Sequence, residues 1–410
     1  MFNEQLSTMA VKAQEKASAQ FRIIDEIAEY NQLKVLKAFS ENRVCEADFA
    51  GTTGYGYDDR GREKLNAVFA NVFDCEDALV SHYFVSGTHT LTVALFGLLR
   101  PGDTLLSVTG KPYDTLDSVI GITECDGSLM DFGVNYRQVD FKDNKIDFEG
   151  IRKALTDDVK IVFIQRSKGY MNRPSLTCEQ IGEIALFVKN INSNVSVVID
   201  NCYGEFVEKT EPISHGADLI IGSMIKNPGG GLAPTGGYIA GKKELVEKCA
   251  CRLTAPGIGN EVGATLNVLR DMFRGFFMAP HITAQALKTA VFAAALFEDM
   301  GYKVNPASDS VRTDIIEAVE LNCPEKIKAF CRGIQKGAPV DSFLTPEPWD
   351  MPGYDAQVIM AAGAFVQGSS IELSADAPMK EPYTVFFQGG LTYESGKAGV
   401  MFAAQELMKL

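Results

Sequence analysis

From residue 64 onward, short apolar runs at 78–83, 104–108, 161–165, 195–200, 218–222 and 238–240 alternate with amphipathic stretches at 64–74, 88–99 and 177–190. Runs that are apolar throughout, rather than at every second residue, belong to strands buried on both faces. Such strands, spaced by helices, need crossover connections, which predicts an α/β fold with a mostly parallel sheet and helices on both sides. A chain of 410 residues exceeds one ordinary core. The pattern therefore divides it into a helical arm and loop over 1–60, a large α/β domain over 61–282, and a smaller C-terminal α+β domain over 283–410. In the arm, Leu6, Met9, Phe21, Ile24, Ile27, Val35 and Phe39 recur at helical spacings, and 49–62 is a glycine-rich loop. In the last domain, 283–300 reads as helix, 370–373 and 383–387 as strands, and 336–354 as a proline-rich loop.

Three features at the ends of the runs carry chemistry. Ser86-Gly87-Thr88 stands where a strand gives way to a helix. Hydroxyls and free N–H groups there make either an ordinary cap or a site for a phosphate. Asp200 closes the run that starts at Val195. That is the ligand edge of an open α/β sheet, so its carboxylate either meets a cation such as a protonated pyridine or caps the next turn. Lys226 comes just after the run 218–222, with Ser223 three residues before it and three glycines soon after. Partial burial lowers a lysine's pKa and frees its amine as a nucleophile. A nucleotide-binding loop does not fit, because Lys226 precedes the glycines instead of coming after them. A phosphate-type turn, a strand-end acid and a strand-end lysine 26 residues later form the arrangement of pyridoxal-5′-phosphate (PLP) enzymes with the aspartate-aminotransferase-like fold, PLP fold type I.

A formal charge of -14 argues against a nucleic-acid surface. Nine scattered cysteines without a Cys-x-x-Cys pair read as free thiols, and no metal site is expected. With neither a signal-like start nor a spanning apolar run, a cytoplasmic location without membrane contact is expected.

Ser86-Gly-Thr-His89, Asp200-Asn-Cys-Tyr-Gly-Glu-Phe206, Gly222-Ser-Met-Ile-Lys-Asn-Pro-Gly-Gly-Gly231 and Gln388-Gly-Gly-Leu-Thr-Tyr393 resemble a bacterial group related to cystathionine β-lyase and methionine γ-lyase, often catalogued under aluminium resistance. The resemblance implies that Lys226 carries PLP as a Schiff base and moves the substrate's Cα proton. It implies that Asp200 keeps the pyridine protonated, that Ser86, Gly87, Thr88 and Ser223 hold the phosphate, and that Tyr113 stacks on the ring. Tyr57 and Arg60, with Tyr55 and Arg62 as rivals, would reach a neighbouring subunit's site, so a homodimer or homotetramer is implied. The template departs from the chain in two places. Ile225 stands where a second hydroxyl is usual, and Lys380-Glu381 stands before Pro382 where an arginine for the substrate carboxylate is expected. Lys380 or Arg166, with Arg173 behind them, would take that carboxylate; otherwise both arginines are solvated loop charges. The activity implied is carbon–sulfur β- or γ-elimination on an amino acid of the cystathionine or methionine type. Aminotransfer, aldol cleavage, γ-replacement and a non-enzymatic metal-binding role are the alternatives.

Overall fold

The computed structural model describes residues 2–171, 173–351 and 356–410, so the end of the expected 336–354 loop lies outside the described residues. The chain forms two compact units. One comprises Leu33–Met224 and Ala233–Arg274. The other comprises Met1–Gln32, Ile225–Leu232 and Gly275–Leu410.

The first unit is built on seven strands: β1 (Asp77–Ser81), β2 (Thr104–Ser107), β3 (Asn135–Gln138), β4 (Val159–Gln165), β5 (Ser196–Asp200), β6 (Leu219–Ser223) and β7 (Gly237–Gly241). They lie in the order β1-β7-β6-β5-β4-β2-β3. From β6 to β3 every pairing is parallel, whereas β7 runs antiparallel to both β6 and β1. The apolar runs of the sequence correspond to β1, β2, β4, β5, β6 and β7, and every residue of β2 and β6 is buried. β3 gave no such signal because it is a polar edge strand, exposed at both ends. Helices at Arg60–Val72, Gly87–Leu98 and Cys178–Ile191 match the amphipathic stretches. Leu91, Val93, Leu95, Phe163, Val198 and Ile221 join one core between sheet and helices.

Parallel pairing brings the C-terminal ends of β4, β5 and β6 to one edge, with Gln165 opposite Asp200 and Asp200 opposite Ile221. Close packing behind that edge depends on Gly222. A Cβ there would stand 2.4 Å from both Glu205 Oε1 and Tyr238 Cε1. Gly222→Ala should therefore cost about 1–3 kcal/mol by overpacking. A denaturant midpoint that did not move would refute that account.

The second unit holds an antiparallel sheet of β8 (Lys303–Asn305), β9 (Glu317–Glu320), β10 (Val358–Ala362), β11 (Ser374–Pro378) and β12 (Thr384–Gln388). Its order is β10-β11-β12-β9-β8. Strand β11 begins four residues after the start of the strand expected at 370–373. Within that earlier stretch Glu372 turns back to accept from Phe365 N and Val366 N, 2.9 Å each. Small Ala375 and Ala377 then pair under the helices, a role that propensity does not announce. The helix expected at 283–300 runs instead from Leu269 to Asp299, straight through Pro280. Buried Phe273, Phe276, Ala279 and Leu287 offset the roughly 3 kcal/mol that an interior proline costs. The N-terminal helix also differs from its reading as a separate arm. Leu6, Ala10 and Ala13 share one core with Phe292, Phe330, Val400 and Leu407, so apolar burial assigns Met1–Gln32 to this unit.

Candidate active site

Three strand ends and one helix start meet at the sheet edge of the first unit. Ser86 is the N-cap of the helix Gly87–Leu98, its Oγ accepting from His89 N at 3.0 Å. The first-turn amides of Gly87 and Thr88 have no acceptor within their own helix. Gly87 sits so that an added Cβ would lie 3.4 Å from Ser223 Cβ and 3.9 Å from Cys202 Sγ. The turn is thus packed against the ends of β5 and β6, where helix dipole, amides and hydroxyls favour an anion. Thr88 reaches sideways, its Oγ1 2.7 Å from Thr115 Oγ1.

Asp200 ends β5 and is 6% exposed, with Oδ1 accepting from Cys202 N at 3.1 Å. The turn after it is strained: Tyr203 and Phe206 hold φ of 72° and 63°, values that bulky side chains rarely adopt. Glu205, in that same turn, accepts from Tyr238 Oη at 2.8 Å, deep behind the edge. Tyr113 opens a short turn at Asp114–Leu116, its ring centroid 5.8 Å from that of Tyr170. Gly169, at φ +55°, lets the backbone approach, since a Cβ there would lie 3.3 Å from Tyr113 Cδ2. Sequence reasoning passed over Gln165, which is buried opposite Asp200 with Oε1 lacking a hydrogen-bond partner among the described residues. A polar residue ending an apolar run was the available sign.

Arg166 and Arg173 are not solvated loop charges. Arg166 is wholly buried, donating to Glu208 at 2.6 Å, Asn201 at 2.8 Å and Glu211 at 3.4 Å. Its donors serve the protein's own acids, and Gly204 leaves it room, since a Cβ there would be 2.5 Å from Arg166 Cδ. Arg173 donates to the carbonyls of Pro174, Gln165 and Ser167. Near the chain start, Tyr55 and Tyr57 stack on each other in solvent with ring centroids 5.4 Å apart. Arg60 stays largely exposed while its Nε contacts buried Asp48 at 2.6 Å. Arg62, by contrast, is buried and donates to the carbonyls of Gly56 and Gly263.

In the second unit, Lys226 is half-buried and opens the turn Asn227–Gly229, its carbonyl accepting from Gly229 N at 3.1 Å. It is three residues beyond Ser223 in the chain. Lys380 is exposed in the turn between β11 and β12. Among the described residues, no group of three or more His, Cys, Asp and Glu could hold a metal ion. No helix among them is long and apolar enough to cross a membrane.

A family model described as methionine gamma-lyase matches residues 6–408. Protein YnbB of Bacillus subtilis is 49% identical over 409 residues, covering 99% of this chain and 97% of its own. The crystal structure of a carbon–sulfur lyase involved in aluminium resistance from Clostridium novyi superposes with a TM-score of 0.95 at 52% identity, covering 98% of this chain and 96% of that one. The PLP-dependent protein YhfS from Escherichia coli shares the fold at a TM-score of 0.64 and 16% identity, over 94% of this chain and 97% of its own.

Proposed function

As a member of the methionine gamma-lyase family, to which it belongs by a match over residues 6–408, this chain is, we propose, a PLP-dependent carbon–sulfur lyase acting on a sulfur-containing amino acid. The observation that carries the reading is the meeting of the Ser86-Gly87 helix start with Ser223 and Cys202, next to buried Asp200. That donor set fits PLP. Two first-turn amides and two hydroxyls suit a phosphate dianion, and a carboxylate shielded from water suits a pyridinium. When bound, PLP supplies an electron sink that stabilises a carbanion at the substrate's Cα.

The chain's own residues do the rest. Ser86, Gly87, Thr88 and Ser223 anchor the phosphate. Asp200 holds a proton on the pyridine nitrogen, with Cys202 N fixing the orientation of its carboxylate. The Lys226 amine would hold the cofactor and, when free, would take the proton from the substrate's Cα. The overall reaction would consume one water and release a thiol, a 2-oxo acid and ammonia. Tyr113 stacks over the ring and limits access of water. Tyr57 and Arg60, held outward on the first unit, serve the site of a second copy in a homodimer or homotetramer.

The test is a panel of sulfur-containing amino acids with oxo acid, ammonia and thiol measured together. Equal yields of all three support the lyase. Oxo acid formed only with an added oxo-acid acceptor, and no thiol, would replace it with aminotransfer. Asp200→Asn keeps the shape and removes the charge. It is expected to weaken PLP binding about tenfold to a hundredfold, the range for a hydrogen bond to a charged group. Titration with cofactor measures it, and unchanged affinity would remove Asp200 from the site.

A further inference from the structure

The first unit holds a buried arginine whose guanidinium meets only carbonyl oxygens among the described residues. Arg62 is 6% exposed, and its Nη1 donates to Gly56 O at 2.8 Å and Gly263 O at 2.7 Å, while Nη2 reaches Glu261 O at 3.4 Å. Its Nε is buried and has no hydrogen-bond partner among the described residues. Asp59, the acid at the head of the same helix, is engaged elsewhere. It accepts from Arg62 N at 2.9 Å, from Thr265 Oγ1 at 2.6 Å and from Thr52 Oγ1. Buried charges are as a rule paired, and a buried donor left unmade is costly.

Arg62 lines a cavity of about 20 Å³ together with Leu65, Leu79, His82, Asn260 and Met272. His82 directly follows β1, and its Nε2 is likewise buried without a partner among the described residues. Burial holds the His82 pKa below its ordinary value, which favours the neutral ring. A neutral imidazole can carry its proton on Nε2 and donate it. The third wall is the stretch 259–265. Tyr83 Oη donates to Ala264 O at 2.9 Å, and a Cβ on Gly263 would lie 3.3 Å from Tyr83 Cε2 and 3.9 Å from Arg62 Nη1. Two donors from different elements thus line one small space. A cavity of that size takes a single small particle. Water would satisfy the hydrogen bonds and leave the guanidinium without a counter-charge, whereas an anion supplies both. The size and the apolar lining select a small, singly charged anion over sulfate or phosphate, whose dehydration costs more.

We propose that this cavity is a halide site, in which Arg62 Nε–H and His82 Nε2–H hold a chloride ion. Neither residue belongs to the proposed cofactor set, so the site is separate from the Ser86–Thr88 turn. The bound ion ties the helix that follows Tyr57 and Arg60 to the exit of β1 and to the stretch 259–265.

The experiment uses the full chain in sodium gluconate with PLP in excess, so that an anion at the Ser86–Thr88 turn is not what is counted. Sodium chloride is titrated in at constant ionic strength. The thermal midpoint should climb with the logarithm of chloride concentration, as for any ligand of the folded state, and sulfate should not replace chloride. Two variants are compared with the unaltered chain. Arg62→Lys keeps the charge but loses Nε, and His82→Phe keeps a ring but loses Nε2. Each should weaken chloride binding about tenfold or more. Melting in gluconate alone confirms that each is folded, and His82→Phe carries the test if Arg62→Lys does not fold. Crystals soaked in sodium bromide locate the ion by anomalous scattering, with a peak expected within hydrogen-bond distance of both side chains. A water there in place of bromide, a midpoint that follows ionic strength alone, or an equal chloride response in the variants overturns the proposal.

Discussion

Lys226→Ala should give a folded protein with no covalently held PLP and with elimination reduced by at least about a thousandfold. In the proposed mechanism the lysine does two jobs that nothing else in the site duplicates: it would form the bond to the cofactor and it would move the Cα proton. General acid–base transfer alone is worth about a hundredfold to ten-thousandfold, and loss of the covalent anchor adds to it. Borohydride reduction and then peptide mass analysis is the direct measurement. Label on the peptide carrying Lys226, absent from the variant, is the expected result. Label at Lys168, the buried lysine after β4, would move the assignment. The fold should survive, because Lys226 is only half-buried.

Arg166→Met should have the largest effect on stability. Its guanidinium joins Glu208, Glu211 and Asn201 behind the strand that ends in Asp200, with no exposure to solvent. Removing one partner strands Glu211, itself buried, without its counter-charge. Breaking a buried pair in this way costs about 3–5 kcal/mol. Denaturant unfolding of the PLP-loaded chain measures it. A loss below about 1 kcal/mol, the worth of an exposed pair, would show that water reaches the acids and that the network is not closed. Asn201 also donates to Glu211 and contacts Tyr238, so a weakened network should loosen the turn that aims Asp200. Cofactor affinity should therefore fall along with stability.

Much of the larger sheet and its edge was legible in the sequence, for one reason. A parallel sheet buried on both faces writes itself as continuous apolar runs, and its ligand edge falls where each run ends. Asp200, Ser86 and Ser223 could be found by position alone. What could not be read was anything set by burial of polar groups. Arg166 and Arg62 are both arginines at the border of an element, alike in the sequence. In the structure one is saturated by acids and the guanidinium of the other meets only carbonyls among the described residues. The smaller sheet was partly illegible because β11, Ser-Ala-Asp-Ala-Pro, is made of residues that avoid strands. Pro280 hid the first turns of a long helix whose apolar burial outweighs it.

The division of the chain has a consequence for how the protein is made. Leu6, Ala10 and Ala13 leave the ribosome long before their core partners Val400 and Leu407. The helix that carries them must therefore wait, its apolar side uncovered, while the residues between are synthesised. The α/β unit, whose strands lie between, can close meanwhile. A chain cut short before the helix Tyr393–Leu407 would have one unit complete and the other lacking both that helix and a cover for Leu6, Ala10 and Ala13.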